Sequence, residues 1–378
     1  MKKLGLLLLV VSLLTGSVCA AQPEAAAKSA ILMDAATGTV LYDSNAHEPL
    51  APASVTKVMT LLLVMEAIDG GQIGWDDTVT ASEAAAAKGG SQVYLKVGET
   101  MTVSDMVKSI AVSSANDCAC AMAEHIAGSE AAFVERMNAR AAELGMADTH
   151  FVNCTGLDDD PGAKDHKTSA HDIAIMSREL LVNHPDIKKY TTIWMDTIRS
   201  GAFGLSNTNK MVRYYPGCTG LKTGFTSAAG YCLSASAQRE GLELIAVVMG
   251  SATSKDRFAA CKSLLDYGFA NYALYEPAMQ EGASVPVALG KADAVAVVPE
   301  GDTRLLVEKA RQSSISTEVT LEESAAAPVA QGQRLGTLTV KAGENVLAQI
   351  PLVAESAVEK LSFGDLMAVV LKKIAMAK

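Results

Sequence analysis

The sequence lacks an excess of positive charge. Its 378 residues include 42 aspartates and glutamates against 32 lysines and arginines, which gives a net charge of −10. Proteins that bind nucleic acid need a basic stripe to neutralise phosphates. The charge balance therefore excludes nucleic acid as a partner.

Long apolar runs are missing everywhere except at the N-terminus. Residues 4–18 are apolar apart from small and hydroxyl side chains, follow Met1-Lys2-Lys3, and lead into Cys19 and Ala20. This pattern predicts a secretory signal peptide over residues 1–20 and an exported mature chain. Val18 is too large for a lipoprotein signal, so Cys19 is not expected to carry lipid. No later run reaches the length of a membrane-spanning helix.

Cysteine is sparse, and no metal-ligand spacing is present. Beyond the leader there are six cysteines, and so few thiols in a chain of this size favour buried, unpaired side chains over disulfides. Cys118 and Cys120 lack the partner spacing of a zinc site. The six histidines show no ligand spacing and are interpreted as structural or surface residues. The sequence therefore predicts neither a metal nor a cofactor.

The middle of the chain combines helical and strand-like segments. A hairpin is predicted over 30–43 and an apolar helix over 55–68, ending at Gly70-Gly71. Further segments are helical at 115–127, 130–144, 169–181 and 255–275, and strand-like at 221–226, 231–238 and 242–249. This order predicts an α+β domain over residues 21–276, in which helices flank an antiparallel sheet.

The C-terminal third changes composition after Pro277. Short β-type runs separated by Gly and Pro predict a small all-β domain over 277–359 without a chemical cluster. In 360–378, six apolar residues fall at helical spacing: Phe363, Leu366, Met367, Val370, Leu371 and Ile374. This pattern favours an amphipathic helix on a membrane surface over an ordinary helix packed on the β domain.

The first of three chemical motifs is Ser54-Val55-Thr56-Lys57, at the start of the apolar helix. Residues three apart on a helix share a face, so the lysine amine can lie beside the serine hydroxyl. A desolvated lysine can remove the proton from a serine and make it a nucleophile. The alternative, a capping serine with a solvated lysine, fits poorly because Lys57 lies in a very apolar helix.

The second motif is Ser114-Ala115-Asn116, at a junction between apolar residues and the next helix. A second hydroxyl can relay a proton to a leaving amine, and an amide can orient the lysine and the substrate backbone. Taken by itself, the motif is more typical of a plain helix N-cap, for which Ser and Asn are favoured.

The third motif is Lys222-Thr223-Gly224, within a predicted strand. A cation and a hydroxyl on a strand can bind a carboxylate, and Gly224 is expected to let a substrate backbone lie close. The backbone N–H of Phe225 would then join that of Ser54 in an oxyanion hole.

The three motifs in this order resemble the signature of penicillin-recognising serine enzymes. The chain is most similar to the low-molecular-mass penicillin-binding proteins of the D-alanyl-D-alanine carboxypeptidase family. The resemblance runs from about residue 30 to 277 and includes further matches in 144–146, 149–153, 156–158, 168–172 and 220–231. It implies a catalytic domain of the serine β-lactamase and penicillin-binding transpeptidase type, followed by a β domain and a membrane-binding tail.

The resemblance also implies roles for individual residues. Ser54 would be the acylated nucleophile, Lys57 its base and Ser114 the proton relay. Substrate binding would fall to the amide of Asn116 and to five residues further along the chain, namely Lys222, Thr223, Gly224, Phe225 and Arg257. Thr219 stands where the family often has an acidic residue, and a second family arginine, upstream of the strand, has no clear counterpart around Thr208.

The implied activity is removal of the terminal D-alanine from peptidoglycan pentapeptide stems, with β-lactams as covalent inhibitors. The implied location is the outer face of the bacterial cytoplasmic membrane. Three alternatives remain: a D,D-endopeptidase, a β-lactamase-like hydrolase and a non-catalytic cell-wall binding protein. Glu179 with Asn183 has the wrong spacing for a β-lactamase glutamate, and a binding protein has no need of Ser54 and Lys57 together.

Overall fold

The computed structural model describes residues 23–159, 162–279 and 282–376. The predicted signal peptide lies outside these residues. Up to residue 251 the strands are β1 (Ser29–Asp34), β2 (Val40–Ser44), β3 (Thr78–Thr80), β4 (Thr100–Thr102), β5 (Met195–Ile198), β6 (Phe203–Ser206), β7 (Cys218–Thr226), β8 (Gly230–Arg239) and β9 (Leu242–Ser251).

A five-stranded antiparallel sheet in the order β2-β1-β9-β8-β7 forms the centre of the first domain. Alternate residues of a strand face opposite sides of a sheet. Ile245 and Val247 accordingly belong to one core, while Leu244 and Ala246 belong to the other. Because both faces are covered, β9 is apolar along nearly its whole length.

Helices cover both faces of this sheet, in agreement with the prediction that helices flank an antiparallel sheet. They are α1 (Lys57–Asp69), α2 (Glu83–Ala86), α3 (Val103–Ser113), α4 (Asn116–Ala127), α5 (Glu130–Glu143), α6 (Ala170–Asn183), α7 (Lys188–Thr191), α8 (Met211–Tyr214) and α9 (Ser254–Asn271). Side-chain caps set several of the starts: Ser169 accepts from the N–H of Asp172, and Thr253 from that of Asp256.

The prediction of a helix over 255–275 was wrong at its C-terminal end. The helix ends at Asn271, and strand β10 (Tyr272–Tyr275) pairs with residues 305–308 of the second domain. The apolar period that predicted the helix stops at Phe269. The conformation of the last four residues is decided by a strand partner about thirty residues away, which local periodicity does not reveal.

The second domain is built on a six-stranded sheet. Its strands after β10 are β11 (Ser284–Ala288), β12 (Ala294–Pro299), β13 (Leu305–Glu308), β14 (Ile315–Leu321), β15 (Ala325–Ala326), β16 (Arg334–Ala342) and β17 (Asn345–Ala354). The sheet order is β14-β16-β17-β12-β11-β15, and β13 pairs only with β10 among the named strands. Val285, Val297, Leu338 and Leu352 form part of its buried core.

A terminal helix, α10 (Phe363–Met376), follows the β domain. Phe363, Met367 and Leu371 on this helix are 81%, 47% and 60% exposed. Among the described residues, no helix is both long and apolar enough to cross a membrane. The six cysteines that follow Cys19 are unpaired, as the sequence predicted, and all but Cys218 are buried.

Candidate active site

Ser54 and Lys57 lie together at the start of α1. Ser54 lies in a short 3₁₀ turn (Ala53–Thr56), and Lys57 is the first residue of the α-helix. The Lys57 Nζ atom donates to Ser54 Oγ at 3.0 Å and to the carbonyl of Thr155 at 2.8 Å. The predicted i, i+3 contact is present, although a 3₁₀ turn rather than the α-helix carries the serine.

The Lys57 amine is completely buried, and burial lowers its pKa to about 7. Water no longer stabilises the ammonium form, and the charged groups nearby do not compensate fully. The amine is therefore substantially neutral near neutral pH, which is the form that can accept a proton from Ser54.

A loop outside the three motifs holds Lys57 in place. The Oδ1 atom of Asn153 accepts from the N–H of Gly156 at 2.7 Å and from that of Thr155 at 3.2 Å. Gly156 has φ +81°, and a Cβ atom there would lie 1.8 Å from the carbonyl oxygen of Ala53. Only glycine allows this loop to contact the Ser54 turn.

A hydrogen-bond relay fixes the turn from its other side. The hydroxyl of Thr56 donates to the Ala53 carbonyl at 2.8 Å, and His166 Nε2 lies 2.8 Å from that hydroxyl. The N–H of Val152 donates to His166 Nδ1, so the imidazole hydrogen is on Nε2 and points at Thr56. Burial lowers the pKa of His166 to about 4, which keeps this tautomer neutral. Ala53 itself is held at φ +49°.

Ser114 and Asn116 present unpaired polar atoms. Ser114 ends α3 with φ +65°, and Asn116 begins α4, so the interpretation of Ser114 as a plain N-cap is wrong. Asn116 Nδ2 donates to the carbonyl of Gly89 at 2.7 Å. Ser114 Oγ and Asn116 Oδ1 are buried without a partner in the described part of the chain. An unpaired buried polar atom costs about 1–3 kcal/mol, so these two are candidates for binding a ligand.

The next residue, Asp117, shapes the neighbouring loop. Its buried carboxylate accepts from the N–H of Val93 at 3.1 Å and from that of Leu95 at 3.0 Å. Motif reasoning missed Asp117, as it missed Asn153, Gly156 and His166. The resemblance did include Asn153 and Gly156, in the ranges 149–153 and 156–158. His166 lies two residues before another matched range, 168–172.

Lys222 and Thr223 are both buried on β7. Burial, the largest cause, lowers the pKa of Lys222 well below its usual range, and the positive charges of Lys57 and Arg257 add to the effect. Its Nζ atom donates to the carbonyl of Thr223 at 3.1 Å. The Thr223 hydroxyl donates to that of Thr208 at 2.7 Å, so Thr208 lies beside the motif.

Gly224 lies where β7 comes closest to the Ser54 turn. A Cβ atom there would lie 2.7 Å from the carbonyl oxygen of Pro52 and 3.1 Å from the backbone nitrogen of Ser54. The missing side chain therefore lets β7 approach the Ser54 turn, and the predicted role of Gly224 beside a substrate backbone stays a prediction. The following residue, Phe225, has a half-exposed side chain whose ring stacks on Tyr231 at 4.3 Å.

Arg257 is buried behind the same strand. One of its terminal nitrogens donates to the carbonyl of Gly224 at 2.8 Å and to that of Cys232 at 3.3 Å. Its Nε atom has no partner among the residues that the structure describes. The guanidinium also lies over the rings of Tyr231 and Phe258. Arg257 thus braces the segment that carries Gly224.

Thr219 and Glu179 lie in hydrogen-bonded networks. Thr219 donates to Glu243, which also binds Lys188.

Glu179 accepts from Arg140 and from the amide of Asn183. The fold brings Glu66, Glu179 and His184 within 4.8 Å of one another, a grouping that sequence spacing did not reveal. Arg140 donates to both glutamates and already supplies the cation there.

Comparisons with known proteins agree with this geometry. Residues 17–253 match the family model described as D-alanyl-D-alanine carboxypeptidase, and residues 275–360 match the C-terminal domain of penicillin-binding protein 5. D-alanyl-D-alanine carboxypeptidase DacF of Bacillus subtilis is 43% identical over 344 residues, which cover 89% of this chain and 87% of the relative. DacA of Escherichia coli is 34% identical, with 88% and 83% covered.

Solved structures give the same picture. Penicillin-binding protein 5 of Haemophilus influenzae superposes with a TM-score of 0.74 at 31% identity, covering 90% of this chain and 99% of that one. Penicillin-binding protein D2 of Listeria monocytogenes, solved in its ampicillin-bound form, gives 0.59 at 32% identity, with 65% and 98% covered.

Proposed function

The chain belongs to the D-alanyl-D-alanine carboxypeptidase family of penicillin-binding proteins, and we propose that Ser54 performs its reaction as an acylated nucleophile. The activity is that of a serine-type D-alanyl-D-alanine carboxypeptidase. One observation carries the assignment to Ser54, namely the buried Lys57 amine 3.0 Å from its hydroxyl. Because the pKa of Lys57 is lowered to about 7, part of the amine is neutral near pH 7, and a neutral amine at that distance can accept the hydroxyl proton.

In the acylation step, Ser54 Oγ attacks the carbonyl carbon between the two D-alanines while its proton moves to Lys57 Nζ. The carbonyl oxygen becomes negative and accepts from the backbone N–H groups of Ser54 and Phe225, each worth about 3 kcal/mol in the transition state. The close approach at Gly224 supports this pairing because it brings the segment before Phe225 against the backbone of Ser54.

In the second half of acylation, the carbon–nitrogen bond breaks and D-alanine leaves with its amine protonated. We assign to Ser114 the role of passing that proton from Lys57 to the leaving amine, because its buried hydroxyl has no partner in the described structure. Asn116 Oδ1, also unpaired there, is assigned to the amide N–H of the substrate. Water then hydrolyses the ester and restores the Ser54 hydroxyl.

Recognition of the terminal carboxylate is assigned to Lys222 and Thr223. The low pKa of Lys222 results mainly from burial, and no counter-ion for it lies among the described residues, so an incoming carboxylate would stabilise its charged form. Arg257 adds positive charge close to this point and holds the carbonyl of Gly224. Its predicted direct contact with the carboxylate stays a prediction.

Penicillin should acylate the same serine, because penicillin-binding protein D2 of Listeria monocytogenes, which is 32% identical to this chain, has been solved in its ampicillin-bound form. The test is the intact mass of the protein after brief exposure to penicillin, with peptide mapping. We expect one adduct on Ser54, slow to decay, and none in Ser54→Ala. A folded wild-type chain without an adduct would contradict the assignment, and rapid loss of the adduct would favour a β-lactamase.

We also propose three segments: a catalytic domain over residues 21–276, a small β domain over 277–359 that acts as a spacer, and a membrane-surface helix over 360–378. The exposed Phe363, Met367 and Leu371 recur every four residues and thus lie along one face of α10. Together with the predicted leader, they support a location on the outer face of the bacterial cytoplasmic membrane.

A further inference from the structure

A groove outside the candidate active site lies between α8 and the beginning of α9. It has a cavity volume of about 500 Å³. Aromatic and aliphatic side chains form its floor, among them Met211, Tyr215 and Phe258, and the 72% exposed ring of Tyr214 stands at its rim. The Tyr215 hydroxyl donates to Asp266, so its polar end is already satisfied. The groove therefore offers apolar surface to a ligand.

The edge of the groove is positively charged. Lys210, Lys255 and Lys262 line it, and none of its described lining residues is acidic. Lys262 forms an ion pair with Asp266, whereas Lys210 and Lys255 are exposed and form no ion pair within the described ranges. In a chain of net charge −10, two lysines without acidic partners beside an apolar floor favour a ligand that is both anionic and partly apolar.

Both walls of the groove adjoin residues of the candidate site. Lys210 is two residues beyond Thr208, which accepts a hydrogen bond from Thr223. Phe258 follows Arg257, which donates to the carbonyl of Gly224. The groove is thus built on the segments that support β7 from behind, while Ser54 approaches β7 at Gly224.

We propose that this groove binds a second carboxylate-bearing stem peptide of the cell-wall polymer, separate from the peptide being cleaved. A stem that ends in D-alanyl-D-alanine carries two methyl groups and a terminal carboxylate. The methyl groups suit the floor of Tyr215 and Phe258, and the carboxylate suits Lys210 and Lys255. The polymer displays many such stems, so a second contact raises the effective concentration of substrate at Ser54. This inference rests on the proposed function and names a second site for the same substrate class.

The first experiment compares the wild type with the K210A/K255A double variant on two substrates. With polymeric peptidoglycan rich in pentapeptides, we expect KM to rise about three- to tenfold at unchanged kcat. The variant loses the ion pairs that the two exposed lysines would form with the carboxylate of the second stem, and with them the second contact to the polymer. With a free D-alanyl-D-alanine peptide, and in acylation by penicillin, the two proteins should agree within about twofold. The matched control K291A/K341A removes two lysines from the β domain and should behave as the wild type on both substrates.

The second experiment detects the groove directly. The wild-type enzyme is first acylated with penicillin to block Ser54 and then titrated with N-acyl-D-alanyl-D-alanine, and binding is followed by NMR. We expect residual binding that shifts the signals of Tyr214 and Phe258 and that disappears in K210A/K255A. The absence of binding to the acylated enzyme, or an equal KM on the polymer, would overturn the proposal.

The outcomes separate this inference from the proposed function. If penicillin leaves Ser54 unmodified, the proposed function fails before the groove is tested. If Ser54 is acylated but the double variant loses binding to vesicles of anionic phospholipid while its KM on the polymer is unchanged, the groove binds lipid head groups and the stem-peptide proposal is wrong.

Discussion

His166 Nε2 donates to the hydroxyl of Thr56 across 2.8 Å, and this contact joins residues 110 positions apart beside the turn that carries Ser54. The same hydroxyl donates to the carbonyl of Ala53, which precedes Ser54 and has a left-handed backbone. Neither residue needs to contact substrate. Their effect is to hold the turn that aims the Ser54 hydroxyl.

Removing this relay should slow acylation. Thr56→Val keeps the shape of the side chain but removes the hydroxyl that pairs with the Ala53 carbonyl and with the Nε2–H group of His166, a cost of about 1–3 kcal/mol. We expect the acylation rate constant with a fluorescent penicillin to fall about tenfold or more, in the protein fraction that still titrates to one adduct. Thr56→Ser should retain most of the rate.

A double variant tests whether the two residues act together. His166→Ala should cost about as much as Thr56→Val, and the combination little more, because both changes remove one relay. His125→Ala, on an exposed histidine of α4, is the matched control and should acylate normally. Strictly additive losses would show that the residues act separately.

The pH dependence of acylation should follow Lys57. Its pKa is about 7 in the fold, below the ordinary value of 10.5, and the neutral amine is the reactive form. The acylation rate should therefore rise as pH increases through about 7 and level off above it. Lys57→Ala should abolish acylation. A rate that stays constant between about pH 6 and 9, measured by stopped-flow, would contradict Lys57 as the base.

Gly156→Ala should strongly destabilise the catalytic domain. The new methyl group would lie 1.8 Å from the Ala53 oxygen, so the loop or the Ser54 turn must move. We expect a loss of about 3 kcal/mol or more in urea unfolding, together with slow acylation. Gly128→Ala is the control, since Gly128 has φ +82° but no atom within 4 Å of the added carbon. It should cost only about 1 kcal/mol, and equal losses in the two variants would show that the contact with Ala53 is unimportant.

Ser114→Ala should separate stability from activity. The Ser114 hydroxyl is buried without a described partner, so its removal should leave the free energy of unfolding unchanged or raise it by about 1 kcal/mol. Turnover should fall at least about 100-fold if the hydroxyl relays the proton. Ser109→Ala, which removes a hydroxyl bonded to the carbonyl of Asp105, should instead cost about 1 kcal/mol without loss of turnover. Near-normal turnover in Ser114→Ala would remove Ser114 from the mechanism.

The terminal helix can be tested in the full-length chain. Replacing Phe363, Met367 and Leu371 with glutamate should abolish co-sedimentation with phospholipid vesicles, because it places charge on the exposed apolar face of α10. Activity on a free peptide should be unchanged. Replacing the exposed Val346 and Leu347 of the β domain with glutamate is the matched control and should leave vesicle binding intact. Vesicle binding that survives the α10 changes would contradict the surface anchor.

Much of the site could be predicted because its signals are local. Ser54 and Lys57 are three residues apart, and any helical turn places them on one face. The class of the first domain followed from periods of two and of 3.6 residues, which depend on neighbours a few positions away. The order of the three motifs then carried the resemblance that the comparisons confirmed.

Contacts between distant parts of the chain decided the rest. The carbonyl of Thr155 that positions Lys57, the tight fit of Gly156 against Ala53 and the relay through His166 each join segments about 100 residues apart. Residues Tyr272–Tyr275 likewise form a strand because they pair with the strand at residues 305–308. The amino-acid sequence by itself determined which groups we assign to the reaction. Only the folded chain decided what surrounds them. Burial and long-range packing set the Lys57 pKa and leave the Ser114 hydroxyl without a partner among the described residues, and neither effect has a local signature.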